Sequence, residues 1–149
     1  MRDTYTKVLL AIIALGLLGV GAYAALAPRS FYDDFPGGGR HWVAVDGPFN
    51  EHLVRDVGTL NLALAAVAIA ALVRPDRYLV QVVAGAALVN AAPHFLYHLF
   101  HLDTLGGSDQ VAEVITLGIT VIAPILLLVH SMRTVAPSAA AQDAGAVWR

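Results

Sequence analysis

Four long apolar stretches set the first constraint on this chain. A helix needs about 20 mostly apolar residues to cross about 30 Å of hydrocarbon, and residues 8–27, 54–73, 78–100 and 114–132 each qualify. The chain is 58% hydrophobic and only 13% charged over 149 residues, against about 45–50% and about 25% in soluble domains. It has too little polar surface to face water on all sides. These features predict an all-α fold: one four-helix transmembrane bundle over residues 1–133, with a disordered cytoplasmic tail over 134–149. The first stretch carries Ala22-Tyr23-Ala24, which resembles a signal-peptide cleavage site. Its apolar run is longer than the roughly 7–15 residues of a signal core, so it is read as a span.

The connections give the bundle a direction. Spans two and three are joined by the short "RPDR" turn (74–77), spans three and four by "LDTLGGSDQ" (102–110), and spans one and two by the long segment 28–50. Arg2, Lys7, Arg74, Arg77, Arg133 and Arg149 fall on the side of the termini, and only Arg29, Arg40 and Arg55 on the other. Positive residues collect on the cytoplasmic side, so both termini are expected there, with the 28–50 loop outside. The expected setting is the inner membrane of a bacterium, crossed several times. No basic run interleaved with aromatics points to nucleic acid. With no cysteine, thiolate metal sites and thiol redox chemistry are excluded for the chain itself.

With that direction, the polar residues converge. "NAAPHFLYHLFH" (90–101) sets Asn90, His94, His98 and His101 within an arc of about 80° on one helix, at the outer end of span three. "NEHLVRD" (50–56) lies at the same depth on span two and supplies Glu51, His52, Arg55 and Asp56; Glu113 of span four and His41 of the loop join them. His130 lies at the opposite end. Each ionisable group costs about 2.5–3.5 kcal/mol in lipid on insertion scales and normally faces the bundle interior or water. The histidine stripe is therefore expected to face inward, towards span two, under a lid formed by the 28–50 loop with its Phe31, Tyr32, Phe35, Trp42 and Phe49. Pro93 is expected to kink span three. Gly16, Gly19 and Gly21 are expected to let helices pack closely.

Imidazoles with carboxylates suit a transition metal. His94 and His98, at i and i+4, can chelate one ion from one helix face. His94 and His101 lie about 10.5 Å apart along the axis, too far to share it. The candidate ligands are thus His94, His98, His101, His52, Asp56 and Glu51, holding zinc, copper or iron either catalytically or structurally. Two alternatives stand beside this. One is haem or quinone redox chemistry, with His52 opposite His94 or His98 as axial ligands. The other is an accessory subunit of a larger membrane complex, or a homo-oligomer, packed through small residues such as those of 62–73 and 84–92.

"FYDDFP", "GPFNEHLVRDVG" and "PHFLYHLFHLD" together resemble a group of small uncharacterised actinobacterial membrane proteins, and the four-span layout is more loosely similar to DoxX-like integral membrane proteins. The resemblance implies a four-helix membrane bundle and, for the DoxX-like proteins, a link to redox or oxidative-stress complexes. It brings no catalytic residues with it.

Overall fold

The structure, a computed structural model, describes residues 3–133; the tail expected to be disordered lies outside them. The described residues are all-α, with four helices long and apolar enough to cross a membrane: α1 (Thr4–Leu26), α3 (Glu51–Val73), α4 (Arg77–Phe100) and α5 (Ser108–Arg133). At 23, 23, 24 and 26 residues, each exceeds about 30 Å in length at 1.5 Å per residue. Along all four, large apolar side chains such as Leu15, Leu60, Val89 and Ile115 are exposed, as suits helices solvated by lipid. The chain has the build of a multi-pass membrane protein.

Three of these helices start before their apolar runs because a polar residue caps each first turn. The side chains of Asp3, Asn50 and Asp76 accept the backbone N–H of Thr6 (2.9 Å), Leu53 (3.1 Å) and Leu79 (2.8 Å). Such a bond satisfies one of the helix's orphan donors. The Thr6 N–H also holds the Asp3 carboxyl below its ordinary value, against the opposing effect of desolvation. A depressed carboxylate adds stability above the usual carboxyl range and loses it as pH falls through its lowered value. Asp3→Ala is therefore expected to cost about 1 kcal/mol at neutral pH. The difference from wild type should close in acid, which thermal unfolding in detergent across pH will report.

The segment 28–50 is more ordered than a plain loop. Pro28 opens a short helix, α2 (Pro28–Asp34), because proline's fixed φ suits a first helical position where no N–H is needed. Arg29–Asp33 (2.6 Å) and Ser30–Asp34 (3.1 Å) bind successive turns of it. A 3-10 turn follows at Ala44–Asp46. The loop aromatics pack on one another and on α1: Phe31 meets Phe35 at 4.8 Å and Tyr23 at 5.4 Å, and Tyr32 meets Phe49 at 5.3 Å. Phe31 and Trp42 are buried.

Two helix pairs build the bundle. α1 packs chiefly on α3 and α4 chiefly on α5, with α1 also touching α5; α3 and α4 meet little. The shared core lies towards the end that carries the termini. There Leu9, Leu10 and Ile13 of α1, Ala68 and Ala71 of α3, Val80, Val83 and Ala84 of α4, and Ala123 and Leu127 of α5 come together. Small residues let the backbones approach, which drives association where lipid is as apolar as the side chains. Among the glycines expected to serve this, Gly21 does so: a Cβ there would lie 2.9 Å from the Leu62 nitrogen. Gly16 and Gly19 have nothing within 4 Å of that position. The helix α4 continues through Pro93 to Phe100.

Candidate functional site

At the end opposite the termini, called here the loop end, ionisable side chains from three elements meet. His98, in the last turn of α4, places Nδ1 2.9 Å from Oε1 of Glu113 on α5 and Nε2 4.0 Å from Oδ2 of Asp46 in the 3-10 turn. Glu113 is only 3% exposed and is the one charged residue buried among the described residues. The side chain of His98 is 14% exposed. Its own helix adds aromatic neighbours: the His94 ring meets it edge-on at 4.6 Å and the Tyr97 ring at 5.4 Å. The loop is pinned over this end a second time, by Arg40 donating to Asp109 of α5 at 2.8 Å. Between these anchors Trp42 is buried, its backbone N–H donating to the Phe35 carbonyl at 2.9 Å. The Trp42 indole N–H has no hydrogen-bond acceptor among the described residues.

The stripe read from the sequence therefore does not turn inward as a unit. His98 faces the bundle, while Asn90, His94 and His101 are exposed. His101 bonds through Nδ1 to the Tyr97 carbonyl at 2.7 Å and stacks on the Tyr97 ring at 4.2 Å, a local arrangement at the helix end.

The α3 residues do not meet it. His52 is 87% exposed and approaches Asp56 at 3.4 Å, while Glu51 pairs with Arg55 at 2.8 Å. Arg55 also donates to the carbonyl of Ala25 at the end of α1. The reason is the α1–α3 contact. Gly58 sits against the backbone of Ala24 and Ala25 so closely that a Cβ would lie 2.8 Å from the Ala25 Cα. That turns the outer part of α3 to α1 and not to α4. The pocket expected between the outer ends of spans two and three is not formed by the described residues.

Among the described residues no group of three or more His, Asp or Glu side chains is placed to hold an ion. The expected ligands divide into His98, turned to Glu113 and Asp46; His94 and His101, exposed on α4; and Glu51, His52 and Asp56 on α3. The same separation applies to the haem pairing of His52 with His94 or His98. His41, expected at this level, is exposed and bonds through Nδ1 to the Asp33 carbonyl within the loop.

Glu113 and Asp46, the two partners that His98 has, are absent from the expected ligand set. Glu113 carried a legible signal: a lone acid among Val111, Ala112, Val114 and Ile115 at the start of an apolar span. Such a group has to face a partner. Asp46 carried none, since its position depends on how the loop folds back.

The imidazole lies within hydrogen-bond distance of the Glu113 carboxylate and beyond it from Asp46, so the site ties the loop to α4 and α5 through one short contact and one longer one. Two cavities lie elsewhere in the bundle. One of ≈ 110 Å³ is lined by apolar residues including Leu17, Leu64 and Val82, and one of ≈ 250 Å³ lies at the termini end. Compared with protein-family models, with curated proteins and with solved structures, the chain finds no match.

Proposed function

We propose that this protein is a membrane module in which His98 latches the 28–50 loop to the loop end of the α4–α5 pair. The observation that carries the reading is the bridge itself: one imidazole between the buried Glu113 of α5 and Asp46 of the loop. The short contact fixes the imidazole on α5 and the longer one brings Asp46 of the loop to it, so the loop stays over this end while His98 is in place. A partially open site with one imidazole and two carboxylates has fewer nitrogen ligands than zinc usually takes, so the reading rests on the contacts between these side chains and not on an ion. The charge distribution supports placing the loop end outside the cytoplasm of a bacterial cell. The latched loop then faces the exterior.

Trp42 gives the test. The chain has two tryptophans, so Trp148→Phe leaves Trp42 as the sole indole reporter inside the loop. His98→Gln is expected to shift its emission to the red, reporting water reaching a buried ring once the latch is cut. His41→Gln, beside the reporter but outside the bridge, should leave the emission unchanged. An unshifted emission in the His98→Gln protein would refute the latch.

A further inference from the structure

The two ends of the bundle treat their cations differently. At the loop end every arginine has a carboxylate: Arg29 with Asp33, Arg40 with Asp109, and Arg55 with Glu51. At the termini end Lys7, Arg74, Arg77 and Arg133 are exposed and have no ion-pair partner among the described residues. One of them, Arg133, borders a cavity. It is ≈ 250 Å³ in volume and lies between α1 and α5, lined by Tyr5, Leu126, Val129, His130 and Arg133.

The lining is graded along the helix axis. Leu126, Val129, His130 and Arg133 follow the i, i+3, i+4, i+7 spacing that puts residues on one side of a helix, so an apolar wall rises to a polar rim. Tyr5 of α1 packs edge-on against the His130 ring at 4.8 Å. The acid nearby is already engaged: Asp3 accepts the Thr6 N–H and O–H, each at 2.9 Å, and its Oδ1 lies 3.3 Å from Nε2 of His130. Arg133, without an ion-pair partner among the described residues, and Tyr5 both line the cavity. A cation at the last turn of α5 also complements the helix's negative end, which accounts for the charge but not for the cavity or the hydroxyl.

We infer that this cavity binds an anionic phospholipid, with the headgroup phosphate on Arg133 and Tyr5 and an acyl chain along Leu126 and Val129. A planar guanidinium presents paired donors to phosphate oxygens, and the apolar wall gives the lipid a contact that a free anion cannot use. The inference does not depend on the latch at the other end.

The full chain, purified in a neutral detergent and equilibrated with mixed micelles of phosphatidylglycerol and phosphatidylcholine, tests it by native mass spectrometry. Phosphatidylglycerol should be retained in preference. Arg133→Gln should lower that retention about fivefold, the effect of one well-placed cation on an anionic lipid. Tyr5→Phe should lower it by less, and Arg77→Gln, at the same end but away from the cavity, should leave it unchanged. Unaltered helical circular dichroism will verify that each variant is folded. Equal loss from Arg77→Gln and Arg133→Gln would mean diffuse surface attraction and overturn the site. Absence of any preference in the wild type would overturn it as well. Displacement of the lipid by inorganic phosphate would reassign the site to a free anion and overturn the lipid assignment.

Discussion

Gly58→Ala is expected to separate α1 from α3. The added methyl would meet backbone on the far side, with the Ala25 Cα at 2.8 Å and the Ala24 carbonyl carbon at 2.9 Å. Backbone cannot rotate away as a side-chain tip can, so the whole helix has to move. Overpacking of this kind costs about 3 kcal/mol or more. The separation would also draw Arg55 from the Ala25 carbonyl it bonds. Gly16→Ala and Gly19→Ala provide the contrast. Nothing lies within 4 Å of a Cβ at either, and alanine is favoured over glycine in a helix by about 1 kcal/mol, so these should be neutral or stabilising. Unfolding in mixed detergent–denaturant micelles, followed by circular dichroism, will rank the three.

Glu113→Ala is expected to be comparably damaging for an electrostatic reason. It leaves His98, with a side chain only 14% exposed, beside an empty space and without its nearest partner. Removing one member of a buried pair costs about 3–5 kcal/mol because the other is left uncompensated, whereas replacing both by apolar residues is often neutral. The bridge lies at the end of the bundle, with Asp46 26% exposed, so the lower figure, about 3 kcal/mol, applies. The double variant His98→Leu with Glu113→Leu should recover most of the lost stability. A double variant as unstable as the single would show that the site is held by shape and not by charge.

Much of the architecture was legible. Four apolar runs of near-constant length leave few arrangements open, and caps at Asp3, Asn50 and Asp76 account for the helices beginning earlier than their apolar runs. Helical spacing placed Asn90, His94, His98 and His101 on one side of α4. What it left open was the rotation of that side. Near a helix end, water and headgroups solvate an imidazole, so burial is not compelled, and only His98 turned inward. The choice of neighbour was missed for a related reason. Depth alone brings "NEHLVRD" level with the histidines, but contact depends on which helices can approach. Gly21 and Gly58 allow α1 and α3 to come within backbone contact, and Arg55 follows that surface to α1. Glu113 was placed at the correct depth yet left out of the ligand set. A single buried acid asks for one partner, not for several ligands around one ion.

The bridge from His98 to Glu113 holds the loop end together, and ¹⁵N NMR of protein labelled at the imidazole nitrogens reads it directly in a bilayer. His98 Nδ1 should be hydrogen-bonded to the Glu113 carboxylate, with the signature lost in Glu113→Ala. A His98 spectrum unchanged by Glu113→Ala, or one in which a bare nitrogen binds a metal ion, would contradict the latch.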